Sequence, residues 1–256
     1  MASLPPSLRD TLAYFAKYNY PLTPTELWFW QHGSKYSKNF IERCALSTAG
    51  WKLRKQRENF SKKKWAIAEK VGESLKKFPF IEAVFVTGAL AMNNCPKDDD
   101  IDLMIITSPN TLWITRFFVN LYLQRLRRHP GQTSAPDKIC PNLWLDTNNL
   151  VLHTHNIYTA HEILQAKCIF DRGSVHYQFL TQNSWVKKYL PVAYTQSIKK
   201  TEYRTLNTEY LVFWPFNVLA FLIQYLYMKP KMTTEKVGLG FAFFHPTVIN
   251  LDKKRK

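Results

Sequence analysis

The chain has 256 residues, 46% of them hydrophobic, and a formal net charge of +16. That apolar content is ample for a packed core and excludes a disordered chain, and the length accommodates one large domain or two small ones. So large a positive charge favours anionic partners: nucleic acid, nucleotides or an acidic membrane surface. The four cysteines, Cys44, Cys95, Cys140 and Cys168, are widely spaced with no Cys-x-x-Cys pair. They read as reduced thiols of a cytoplasmic protein, not a zinc site. Residues 1–6 lack the charged and apolar regions of a signal peptide.

In chain order, residues 7–32 predict two short helices. Leu8, Leu12 and Phe15 share one helical face. Pro21-Leu22 breaks the pattern, and Thr23-Pro24-Thr25-Glu26 is a capping box with proline at the first helical position. The arrangement resembles the opening of a winged helix-turn-helix module. Residues 33–50 are short for a recognition helix plus a wing, which favours a winged-helix-like packing unit over a duplex reader. Residues 51–77 form a basic block, ten Lys and Arg against three Glu, with Trp51, Phe60 and Trp65 interspersed. Such a helix either tracks phosphates or presents a solvated face.

The chemistry concentrates at 81–107. An apolar strand, 81–87, ends in a glycine turn at Gly88, followed by a short helix over 89–94. A second apolar strand, 101–107, is preceded by Asp100 and carries Asp102. Strand alternation puts both carboxylates on one face, where they repel unless a cation lies between them. A hard divalent ion suits such an oxygen pair and shares it with substrate phosphate. The glycine lets backbone N–H groups approach an anion closely.

The motif resembles that of the polymerase-beta-like nucleotidyltransferase superfamily: an apolar strand, Gly followed by Gly or Ser, about ten residues, then Asp-apolar-Asp/Glu-apolar. The matching residues are Gly88, Ala89, Asp100 and Asp102. Ala89 departs from the pattern, and Thr87 offers a hydroxyl instead. The resemblance implies an α+β fold with a small mixed-sheet core over 78–157. The winged-helix-like segment at 1–77 precedes it and a helical region at 158–256 follows. It implies that Asp100 and Asp102 hold one or two Mg2+ ions and that Thr87, Gly88 and Ala89 contact a nucleoside triphosphate. A third carboxylate on a later strand is implied as the base. Asp146 is the acidic candidate, although it falls in a turn-forming cluster; Asn142 stands mid-strand where it could occupy that place without acting as a base.

Beyond the motif, a helix is predicted over 111–128, with Arg116 among its apolar residues as a partner for a carboxylate or phosphate, and Arg125, Arg127 and Arg128 near its C-terminus. Residues 139–145 and 150–155 predict a strand pair around an Asp146–Asn149 turn, with His153 and His155 on a polar outer face. Helices are predicted over 158–170, 175–190 and 232–244. Residues 210–228 are nineteen consecutive uncharged positions interrupted by Pro215, Asn217 and Gln224. A buried bundle helix is favoured there over a membrane-surface helix or a span. Residues 252–256 are a basic tail.

The expected function is Mg2+-dependent transfer of a nucleoside monophosphate to a hydroxyl acceptor on nucleic acid, protein or a small molecule. The rival is a catalytically weakened fold acting as a nucleic-acid-binding or regulatory module.

Overall fold

The computed structural model describes residues 4–44, 46–47, 49–129, 132, 135–201 and 211–244. Prolines open the first two helices, α1 (Pro6–Ala16) and α2 (Pro24–Trp30). The predicted capping box is formed: the Thr23 hydroxyl accepts from the Glu26 amide at 3.1 Å, and the Glu26 carboxylate accepts from the Thr23 amide at 2.8 Å. A short α3 (Lys38–Glu42) follows, and the basic block is one long helix, α4 (Trp51–Leu75).

Strand β1 (Ile81–Val86) is buried throughout, as expected of a strand covered on both faces. It leads through α5 (Gly88–Ala91) to β2 (Ile101–Thr107), its antiparallel neighbour. Helix α6 (Leu112–Tyr122) crosses over to β3 (Ile139–Asp146), which is parallel to β2; a parallel pair requires such a crossover. Next come α7 (Ile157–Gln165), β4 (Lys167–Asp171), α8 (Val175–Gln182) and α9 (Pro191–Lys200). The last described elements are α10 (Trp214–Met228), β5 (Lys236–Gly238) and β6 (Phe241–Phe243).

The six strands form one mixed sheet in the order β4-β1-β2-β3-β6-β5. Alternation divides its side chains between two cores. Ala83, Phe85, Met104 and Ile106 pack with Phe15, Leu27, Ile163 and Phe179. Val84, Val86, Leu103 and Ile105 pack with Val71, Leu75, Trp113 and Val119. Helices therefore cover both faces, and Asp102, two residues from Met104, points to the side of α1 and α7.

Several predicted elements are corrected. Residues 150–155 are not a strand, and β3 pairs instead with β6, which lies inside the predicted helix 232–244. That segment contains Gly238 and Gly240 around Leu239, a turn between two short strands rather than a helix interior. The predicted helix 158–170 stops at Gln165, and Lys-Cys-Ile-Phe-Asp forms β4 on the edge of β1. The helix predicted over 175–190 breaks into α8 and a 3-10 turn (Ser184–Lys188), and Pro191 opens α9. Helix α6 ends six residues before Arg128, so the arginines are not helix-terminal charges; the Arg128 amide donates to the Ile139 carbonyl instead. The predicted basic tail at 252–256 lies outside the described residues. Among the described residues no helix is long and apolar enough to cross a membrane.

The N-terminal helices are tied to α7 by an aromatic cluster around His161, which is fully buried. Tyr14 stacks on its ring at 4.2 Å, and the Nε2 atoms of His32 and His161 lie 3.0 Å apart, one donating to the other. Burial pushes both imidazoles down, His32 to about 4 and His161 well below its ordinary value. The unfolded chain takes up these protons near pH 6.5 while the folded chain does not, so stability is intact above that pH and falls as the pH drops towards 4. The raised carboxyls at the sheet oppose this, so the contribution of the pair is read as a difference: in urea unfolding between pH 7 and pH 5 the wild type should lose of order 1 kcal/mol per pH unit relative to His161→Phe. Identical pH dependence in the two proteins would place the sensitivity elsewhere.

Candidate active site

Asp100 and Asp102 project from the start of β2 to one side, as the alternation predicts. Asp100 is buried, and Arg128 Nη1 donates to its Oδ2 at 2.9 Å. Asn142 Nδ2 donates to Asp102 Oδ1 at 2.6 Å. Cys140 lies opposite Asp102 in the parallel register, and a donor atom from each of Asp100, Asp102 and Cys140 falls within 4.8 Å of the others. An irregularity in the β2–β3 register between Leu103 and Met104 leaves Asn142 unpaired in the ladder and turned to the same side.

Gly88 completes the arrangement. Its φ of +63° is one that side-chain-bearing residues rarely adopt, and a Cβ there would come 2.5 Å from Asp102 Oδ2. The Thr87 amide donates to the Asp102 carbonyl at 3.0 Å, fixing the turn against β2, and its side chain is buried. Helix α5 then starts with no side chain capping its first amides. Ala89 lines a cavity of about 230 Å³ between α1, α5 and α7, with Tyr14, Tyr18, Tyr158 and Glu162.

The electrostatics are those of crowded acids. Asp102 is held well above the usual carboxylate range, first by burial and then by Asp100, Asp99 and Glu162, with Arg128 opposing. Burial and Asp100 also push Asp99 up. Glu162 rises to about 7 through burial, moderated by a hydrogen bond from the Tyr158 hydroxyl. Burial and the neighbouring aspartates push the Cys140 thiol up, so it stays protonated near neutral pH and is a poor ligand. Asn142 Oδ1 is buried without a hydrogen-bond partner. Two carboxylates and an orphan amide oxygen fit a hard cation such as Mg2+, which takes oxygen donors and shares them with phosphate; they do not suit a thiolate-seeking metal.

Two expected site residues are not brought here. Asp146 pairs with Thr107 at the far end of β2, five residues from Asp102, or roughly 16 Å at the rise of a strand. Its carboxylate accepts from the Asn148 amide at 3.0 Å and Asn149 Nδ2 at 2.7 Å, the work of a turn residue. Arg116 is buried between α6 and α10. It donates to Gln224 Oε1 at 2.5 Å and lies over the Phe244 and Trp113 rings, and burial lowers it to about 9. It is a packing residue.

The basic block is also partly committed to structure. Arg54 pairs with Glu26 and Glu58, Arg57 donates to Asn94 and the Tyr18 carbonyl, and buried Lys64 holds the Asp99 carbonyl and Asp137. Lys63 also pairs with Asp137. His153 and His155 are exposed, as expected for an outer face, and His155 stacks on Trp185.

Glu162 and Arg128 are the residues that sequence reasoning missed. Glu162 reaches the site only because α7 packs across the sheet face that carries Asp102. The one local signal is its i,i+4 spacing from Tyr158, which puts a phenol and a carboxyl on one helix face. No protein-family model, curated protein or solved structure matches the chain.

Proposed function

We propose that the chain is a Mg2+-dependent nucleotidyltransferase, with the segment from β1 to β3 as its core and α1–α3 as a winged-helix-like packing unit. The observation that supports this best is the close approach of Gly88 to Asp102 inside a cluster of carboxylates, where burial first and then Asp100, Asp99 and Glu162 hold Asp102 well above its usual range. A bound Mg2+ would offset that charge and polarise the phosphoryl oxygens of the nucleotide. Asp100 and Asp102 would supply its oxygen ligands, and Arg128 holds Asp100 in orientation. The uncapped amides that open α5 receive phosphate oxygens next to the carboxylates. The tyrosine-lined cavity excludes water from the acceptor. Glu162, with a pKa of about 7, takes the proton of the attacking hydroxyl, the place for which Asp146 is too distant. Lys76 also pairs with Glu73, so five of the ten basic-block residues have partners within the fold, and the cavity suits a small hydroxylated acceptor better than a duplex.

A second reading is a catalytically weakened module that binds nucleic acid or regulates a partner. It draws on the hydrogen bonds of Asn142 and Arg128, which occupy one oxygen of each aspartate.

The two readings separate by incubating the protein with nucleoside triphosphates labelled at the α-phosphate, Mg2+ and fractionated cell RNA, protein and small molecules. The enzyme reading expects label transfer that Asp100→Asn with Asp102→Asn lowers on the order of a thousandfold. Transfer that survives the double substitution would sink it. Absent transfer with salt-sensitive, metal-independent nucleic-acid binding would favour the module.

Glu162→Gln should reduce kcat by about a hundredfold, leave nucleotide affinity within a few-fold, and remove the rate limb near pH 7. An intact limb would assign the base elsewhere. Gly88→Ala should weaken Mg2+-dependent nucleotide binding by about tenfold or more, because its Cβ displaces the Asp102 carboxylate. Titration calorimetry showing wild-type affinity would refute the role given to that contact.

A further inference from the structure

Helix α10 is inverted relative to a helix built for water. Its polar residues face inward. Asn217 is buried and its Oδ1 accepts from the Trp113 amide of α6 at 2.8 Å, while Gln224 Nε2 donates to the Trp113 carbonyl at 2.7 Å. Its apolar residues face outward: Phe216, Leu219, Ile223, Leu226 and Tyr227 are each more than half exposed. The adjoining α6 behaves alike, with Phe117, Phe118, Leu121 and Tyr122 each more than half exposed. Exposed apolar surface of this extent marks an interaction site. Turning polar groups inward and apolar groups outward is the arrangement of a helix pair solvated by lipid on its outer side.

The charge around the patch selects its partner. Between Asp102 and Asp137 the sequence has no acidic residue but holds Arg125 and Arg127, besides Arg116, which is packed against α10, and Arg128, which pairs with Asp100. Residues 210–234 also lack acids, and Lys229 and Lys231 close α10 with their ammonium groups over the Tyr225 and Tyr227 rings. Aromatic rings bordered by lysines suit the boundary between acyl chains and anionic headgroups. A second copy of the chain would bring two basic margins together with no acids to meet them. At 15 residues, roughly 22 Å, α10 is too short to cross a hydrocarbon layer of about 30 Å, so it lies in the surface.

We infer that the outer face of the α6–α10 pair docks the protein on an anionic membrane surface. The inference is independent of the nucleotidyltransfer reading, because neither helix contributes a ligand to the carboxylate site.

Flotation of the full chain with vesicles tests it, comparing phosphatidylcholine alone with phosphatidylcholine containing phosphatidylglycerol. The expected result is partition to the anionic vesicles. Ile223→Glu with Leu226→Glu, and separately Lys229→Glu with Lys231→Glu, should weaken that partition by roughly tenfold or more while leaving the unfolding temperature unchanged. All four side chains are at the surface, so the substitutions spare the core. The inference is overturned by no partition, by partition indifferent to lipid charge, or by partition that survives both pairs of substitutions. It is also overturned if size-exclusion chromatography with light scattering shows a dimer that Ile223→Glu with Leu226→Glu dissolves while vesicle binding is absent.

Discussion

Repulsion between Asp100 and Asp102 is the constraint to which the centre of the molecule answers. Both carboxyls stand to one side at the start of β2, where the alternating residues Ile101, Leu103 and Ile105 are fully buried on the other side and fix the strand in place. The surroundings hold them. Arg128 reaches Asp100 because α6 stops early and the chain doubles back alongside β3. Lys64, nearly fully buried in α4, grips the preceding residue by its carbonyl at 2.5 Å. Asn142 lends an amide from β3. Even so, burial first, and then Asp100, Asp99 and Glu162, hold Asp102 well above its ordinary value.

That shift has a thermodynamic sign. A carboxyl raised in the folded state releases its proton less readily than in the unfolded chain, so the fold loses stability as pH rises through the unfolded value near 4. For Glu162 the loss continues until about pH 7. The His32–His161 pair works in the opposite direction, favouring the fold at higher pH. The two groups meet across α7: His161 anchors it to α1 and α2, and the adjacent Glu162 looks towards the carboxylates. The helix that carries the candidate base is thus fastened by an uncharged aromatic cluster, not by another acid or base that would titrate in the same range on its catalytic side.

Much of this centre could be read from residue order, because its signals are local. Gly88, the apolar run before it and the Asp100–Asp102 alternation define β1, the turn and β2 without reference to any distant residue. The Thr23–Glu26 capping box is local in the same way. What escaped was tertiary. Lys167–Asp171 is too short and too mixed to announce a strand, and it becomes β4 only because β1 has an open edge. Phe241–Phe243 is likewise a strand only in the presence of β3. Asp146 is the one acid of the predicted 139–155 strand pair, but its position in sequence fixes its place along β3, at the wrong end of the strand. Glu162, far off in sequence, arrives by packing. Arg116 shows the same limit: an arginine among apolar residues announces burial but not the partner, which is Gln224 on a helix more than a hundred positions away.

The distribution of basic residues connects the two sides of the molecule. Arg54, Arg57, Lys63 and Lys64 fasten α4 to the N-terminal helices and to the loop before β2, so part of the charge of that block is committed to the fold. In the acid-free stretches around α6 and α10, Arg128 is spent on Asp100, while Arg116 and Arg127 hold the neutral partners Gln224, Met228 and Asn120. Positive charge is therefore drawn to the two aspartates on one side of the molecule, and along the acid-free stretches it stands beside apolar side chains that face outward. A surface that must reject water and accept anionic headgroups needs both of those features at once, whereas a surface meant for water alone needs neither.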